Sequence, residues 1–433
     1  MVIYAPSPQI QDFITFIDSS PTAWHAVDFM KQLLLKKGFI ELHENEKWRL
    51  DPGKSYFVTR NAASICAFAM PLHTPFQARV LAAHTDSPGL KLKPYPEYNK
   101  ENMVMFGVEI YGAPLLNSWL NRDLGLAGRL SYLDTTSRIR QTLVDIRDYP
   151  MVIPQLAIHL DRKVNEEGLQ LNKQEHLAVL AAIESDWLGN DSLIERMLKE
   201  KIDYQTLLSA DLFVYPLEPA RLMGFAHDLI AGYRLDNLAS AFACLEAIQG
   251  AEPLQHQLQM AIFWDHEEIG SSTASGADSN FFSNCLERIA LACKMDRESY
   301  FCLMQNSLCL SVDLAHALHP NYSDKHEPRH PVLLNKGIVL KFNAQHKYAS
   351  DAKSSAFIIQ LCHQMDIPLQ RFVARGDIPS GSTIGPIHAS RTGMPTVDIG
   401  IAQLSMHSSR ELIGTHDLGL LCQLLKAALN SSI

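Results

Sequence analysis

The chain of 433 residues has no Cys-x-x-Cys pair, no long basic run and no apolar stretch of membrane-spanning length. The eight cysteines, Cys66, Cys244, Cys285, Cys293, Cys302, Cys309, Cys362 and Cys422, sit mostly inside apolar stretches. Without paired spacing they read as reduced core thiols of a cytoplasmic protein, not as a disulfide framework. With a net charge of -9 and no continuous positive track, nucleic acid is not an expected partner. The opening Met1-Val-Ile-Tyr-Ala-Pro-Ser-Pro8 lacks a basic lead-in and a long apolar segment, so neither a secretory signal nor a membrane partner is expected. Also missing are a Gly-x-Ser-x-Gly elbow, a His-Glu-x-x-His helix and a phosphate-binding glycine loop, which sets aside three common hydrolase layouts.

What is present is ample core material, with 47% apolar and 20% charged residues. A chain this long outgrows a single core, so two units are expected, one interrupted by the other. Ser20 as N-cap, Pro21 at the first helical position, a face of Val27, Met30 and Leu34, and Gly38 as stop predict the first strong helix. Short apolar runs at 79–84, 258–264, 307–312, 337–342 and 395–401 read as buried strands. Helical patterns at 237–249, 281–294, 351–365 and 417–428 fall between them. That alternation predicts an α/β sandwich around a mainly parallel sheet. The stretch 93–220 differs: residues 103–111 and 126–132 alternate as strands do, and a polar helical region follows. It reads as an inserted β-rich domain interrupting a unit made of 1–92 and 221–433.

Four segments place carboxylates and histidines just after predicted strands, where an open α/β sheet builds its ligand site. They are His84-Thr-Asp86, Arg234-Leu-Asp236-Asn237, Asp265-His-Glu267-Glu268-Ile-Gly270 and Ser311-Val-Asp313-Leu-Ala-His316. Imidazole and carboxylate ligands together suit zinc, with manganese or cobalt as other occupants. In the first segment, alternate residues of an extended chain share a face, so Asp86 can hold the imidazole of His84 from behind. Adjacent Glu267 and Glu268 repel unless a cation compensates, and their separate orientations let one bind metal while the other serves as general base. Each piece alone is common on solvated surfaces; their joint occurrence at strand ends carries the reading.

With these motifs the sequence resembles the aspartyl aminopeptidases, members of a larger group of co-catalytic zinc exopeptidases. The resemblance covers nearly the whole chain. It rests on Ala83-His-Thr-Asp-Ser-Pro-Gly89, Leu156-Ala-Ile-His-Leu160, Arg234-Leu-Asp-Asn-Leu238, Asp265-His-Glu-Glu-Ile-Gly-Ser271, Asp313-Leu-Ala-His-Ala-Leu-His-Pro-Asn-Tyr322, Gly381-Ser-Thr-Ile-Gly-Pro386 and Met406-His-Ser408. It implies a three-layer α/β/α fold with an inserted dimerisation domain, and two zinc ions per subunit. His84 and Asp313 would complete one metal site, Glu268 and His407 the other, with Asp236 bridging and Glu267 as base. His407 is preferred to His416 on the resemblance alone. The resemblance also implies that His159 reaches the active site of a neighbouring subunit, and that dimers build a hollow tetrahedral dodecamer.

The implied substrates are peptides with an acidic N-terminus. A buried substrate carboxylate needs a fixed positive charge or several donors. Lys341, at the end of the 337–342 run, is the best candidate for that charge, and the segment with Tyr348 resembles the family's substrate-binding stretch. His316 and the turn Gly381-Ser382-Thr383 are expected to add donors. Competing readings are a related di-metal hydrolase, either a neutral aminopeptidase or an N-acyl amino acid deacylase, and a non-catalytic scaffold.

Overall fold

The computed structural model describes residues 7–184 and 192–431. The reading of the first six residues as carrying no secretory signal lies outside them. The chain divides into two compact units: one takes the described residues up to Ser87, Ala220–Met406 and those from Glu411 onward, the other the described residues of Pro88–Pro219 with His407–Arg410.

The first unit is a three-layer α/β/α sandwich around a nine-stranded mixed sheet. At its centre the strands Gln257–Trp264, Gln77–His84, Leu308–Val312 and Thr396–Gly400 run parallel to one another. All four are buried throughout, as strands covered on both faces must be. Alternation in Gln77–His84 explains the layering. Leu81 and Ala83 enter one core, with helices Pro8–Asp18, Ala23–Lys36, Leu235–Gln249, Ala352–Gln364 and Thr415–Asn430, while Val80 and Ala82 enter the other, against Phe281–Ala292. A small five-stranded sheet, built from Arg221–Met223, Leu229–Gly232, Glu411–Gly414, Ala402–Leu404 and Ala315–His316, completes this unit.

Each of the five predicted strand runs contains a strand, displaced at its ends by a residue or two. The N-terminal helices differ from expectation. Pro8–Asp18 was not predicted, although Ser7 caps it and Pro8 opens it. The next helix starts at Ala23 with Thr22 as N-cap, not Ser20, because the Thr22 hydroxyl both accepts from the His25 amide and meets the His25 ring at 2.8 Å. Gly38, with φ of +86°, follows its end.

The second unit is a six-stranded antiparallel sheet ordered Ile139–Met151, Leu124–Leu133, Thr206–Pro216, Gly89–Lys100, Met103–Tyr111 and Val179–Ile183. Residue 93, the expected boundary, falls inside the Gly89–Lys100 strand. At Gly128 a Cβ would lie 1.9 Å from the Asp211 carbonyl oxygen, so only glycine allows those two strands to approach. Of the polar helical region, the described residues hold the single turn Val164–Glu167 and the helix Leu193–Lys199.

Candidate metal centre

Adjacent parallel strands deliver their C-terminal ends side by side, and that edge carries the site. His84 ends its strand, in register with Trp264; Glu267 and Glu268 form the short turn beyond Trp264; Asp313 follows Val312; Asp236 enters the helix Leu235–Gln249. His84 Nε2 lies 3.6 Å from Asp236 Oδ1 and 3.8 Å from Asp313 Oδ1. One donor atom each from His84, Asp236 and Glu268 lie within 4.8 Å of one another.

The rest of the site orients these donors. His84 Nδ1 is 3.1 Å from the Asp86 carbonyl oxygen and 3.4 Å from Asp86 Oδ1, which leaves Nε2 for the carboxylate side. The two carboxylate oxygens of Asp86 accept the backbone N–H groups of Glu267 and Glu268, each at 3.1 Å. Asp86 thus holds both the imidazole and the Glu-Glu turn. The Asp236 N–H donates to Glu411 Oε2 at 2.9 Å, and its carbonyl accepts from the Ser87 hydroxyl at 2.6 Å. Asn237, joined to Asp236 by a cis peptide bond, donates its side-chain N–H to the Val312 carbonyl at 2.9 Å.

Asp86, Asp236, Glu267, Glu268 and Asp313 crowd around one imidazole. Burial pushes the Glu267 carboxyl up, and the charges of Asp313, Asp86 and Asp236 add to it against the opposing pull of His84. Glu268 is raised well above the usual range by burial, Asp236 and Glu267. Burial disfavours the charged His84 ring, but its bonds to Asp313 and Asp86 and the charge of Glu267 hold its pKa well above normal. For Asp313, burial opposes ionisation and is outweighed by Lys341 and His84, which keep it below the ordinary carboxylate range. A divalent cation relieves this excess of negative charge, and the imidazole and carboxylate donors are those zinc takes.

The proposed substrate residues of the first unit occupy one neighbourhood. Lys341 is buried; its ammonium donates to the Leu314 carbonyl at 2.6 Å, lies 3.7 Å from Asp313 Oδ2 and sits 5.5 Å from the Tyr348 ring centroid. Tyr348 packs edge-on to Phe372, which also meets the exposed His316 ring at 6.2 Å. The Ser380 hydroxyl donates to the Tyr348 hydroxyl at 3.2 Å. Gly381 has open space around it. Ser382 donates to the Lys347 carbonyl, and Thr383 caps the helix Ile384–Thr392 while donating to Asp398 at 2.6 Å.

His407 and His159 belong to the second unit. His407 has a left-handed φ of +66°, its Nδ1 lies 3.1 Å from the Ala113 carbonyl oxygen, and its own carbonyl accepts the Leu115 N–H. His159 is exposed, between the exposed Ile158 and Leu160. His416 sits exposed in the first turn of Thr415–Asn430, its N–H donating to Asn335 Oδ1.

Sequence reasoning missed Ser87, Asp398 and Glu411. Ser87 lay inside a quoted motif, but a lone serine carries no signal of its own. Asp398 is a fully buried carboxylate that accepts from the Ala349 N–H and the Thr383 hydroxyl, both at 2.6 Å, and so joins the Tyr348 segment to the Gly381-Ser382-Thr383 turn. Its charge in the middle of an apolar strand was the one available clue.

Fold and site together define a metallohydrolase built on an α/β sheet. The family described as Aminopeptidase I zinc metalloprotease (M18) matches residues 16–428. Similar chains, each described as "Probable M18 family aminopeptidase 2", include one from Streptomyces coelicolor, 42% identical over 429 residues and covering 96% of both chains. Another, from Clostridium novyi, is 40% identical over 412 residues, covering 94% of this chain and 95% of the relative. Among solved structures, the one titled "Cryo-EM structure of the Ape4 and Nbr1 complex" is similar with a TM-score of 0.92 and 34% identity, over 98% of this chain and 85% of that one. The S. cerevisiae mApe1 dodecamer is similar with a TM-score of 0.82 and 28% identity, over 96% and 95%. The chain belongs to the M18 family and is a zinc aminopeptidase.

Proposed function

We propose that this aminopeptidase removes acidic residues, Asp or Glu, from the N-termini of peptides, with Glu267 as general base. The observation that carries the reading is the grouping of His84, Asp236 and Glu268 donors with Glu267 next in the chain. Two metal ions are proposed: His84 and Asp313 hold one, Glu268 and His407 the other, and Asp236 bridges. When bound, zinc supplies Lewis acidity toward water and the peptide carbonyl. Glu267 takes the proton of the attacking water and returns it to the departing amine. Asp86 keeps the Glu267 turn and the His84 ring in place.

Lys341 supplies the positive charge for the substrate's acidic side chain, with Tyr348, His316, Gly381, Ser382 and Thr383 around it. A buried ammonium among these residues supports that assignment. His159 acts in the site of a neighbouring copy, in a homo-oligomer of dimers like the dodecamer named for the yeast relative. A cytoplasmic place of action is in keeping with eight unbridged cysteines. Among the described residues no helix is long and apolar enough to cross a membrane.

The test compares hydrolysis of Asp-, Glu- and Leu-anilides before and after chelation. Faster turnover of the acidic substrates, lost with the metal and restored by zinc, is the expected result. A preference for the Leu-anilide would instead identify a neutral aminopeptidase.

A further inference from the structure

We infer that Glu411 is a positioning residue for the metal centre, gripping the backbone of Asp236 so that its carboxylate is preset toward the metal. Glu411 opens the strand Glu411–Gly414 and stands directly opposite Gly232 in the antiparallel pair with Leu229–Gly232. The chain leaves that strand at Gly232 and reaches Asp236 through Arg234, which has a left-handed φ of +65°. Glu411 therefore sits beside the turn that delivers Asp236, and its Oε2 accepts the Asp236 N–H at 2.9 Å. The opposite side of the same residue is held by the Ser87 hydroxyl on the Asp236 carbonyl at 2.6 Å. Asn237 is tied to Val312, the residue before Asp313. Asp236 is thus anchored to the elements bearing His84 and Asp313.

Glu411 is almost wholly buried. A buried carboxylate is costly unless it makes strong hydrogen bonds, and an N–H to a charged acceptor is one of the stronger kinds. A buried, charged acceptor on the Asp236 amide restrains rotation of that residue. Groups that orient metal ligands in this way typically change metal affinity by about 10- to 100-fold when removed.

The inference rests on the reading that Asp236 is a metal ligand, and the experiment separates the two. Zinc affinity of the intact, assembled protein is measured by competition with a chelating dye, alongside the melting temperature of the metal-free protein, for Asp236→Ala, Glu411→Met and Glu411→Gln. Asp236→Ala leaving zinc affinity unchanged would refute the ligand reading itself. If Asp236→Ala weakens zinc, Glu411→Met should weaken it at least about tenfold. Glu411→Gln, which keeps an acceptor oxygen, should stay within about threefold of wild type by the same hydrogen-bond argument. The metal-free melting temperature should not follow this order, as it would for a residue that merely packs. Glu411→Met binding zinc like wild type would overturn the inference. Should Glu411→Met not fold, Glu411→Gln decides: retained affinity supports the amide grip, and a loss beyond about tenfold overturns it.

Discussion

The ammonium of Lys341 stands 3.7 Å from the Asp313 carboxylate and 2.6 Å from the carbonyl oxygen of the next residue, Leu314. The cation proposed to recognise the substrate is therefore also the neighbour of a proposed metal ligand. Lys341→Ala separates the two roles. Recognition predicts that KM for an Asp-anilide rises at least about tenfold more than KM for a Leu-anilide, since an unpaired substrate carboxylate is costly to bury. An equal effect on both substrates would confine Lys341 to holding Asp313.

Glu267→Gln should retain fold and bound zinc while lowering kcat by at least about a hundredfold, the scale of a lost general base. Metal analysis and kinetics on the same preparation give the answer. Near-normal turnover would remove Glu267 from that role.

Asp236→Ala should weaken both metals together, because a bridging carboxylate contributes to each coordination shell. The measurement is zinc per subunit under graded chelation. Loss of one metal with full retention of the other would make Asp236 a terminal ligand.

Activity should depend on assembly, since His159 is proposed to serve a neighbouring copy. Mixing inactive His159→Ala with inactive Glu267→Gln subunits, under conditions where exchange is demonstrated, should regenerate activity. A fully active monomer in sedimentation would refute the proposal.

His388 links stability to pH independently of the metal centre. It is buried against Phe282, with ring centroids 4.6 Å apart, and burial lowers its pKa from 6.5 to about 4. The native state therefore favours the neutral ring. Its contribution is full above the unfolded pKa and is lost as pH falls from about 6.5 through 4, by an amount on the order of 3 kcal/mol. The melting temperature of metal-free wild type should fall relative to that of His388→Leu across this window. Parallel pH curves for the two proteins would contradict the assignment.

Local pattern alone determined much of this molecule. A strand covered on both faces is predominantly apolar, so residues 79–84 and 258–264 announced themselves, and the helical pattern at 351–365 did the same. The Glu267-Glu268 pair was legible because its electrostatic problem lies within two consecutive residues. The tertiary structure decided what depends on contacts distant in sequence. The Glu411 grip on Asp236 spans 175 residues, and Lys341 meets Asp313 only because the sheet sets Ile338–Phe342 one strand away from Leu308–Val312. Hydrophobic periodicity records which face of an element is buried, but a buried polar group is satisfied by whichever partner the fold brings within about 3 Å. No local pattern encodes that partner.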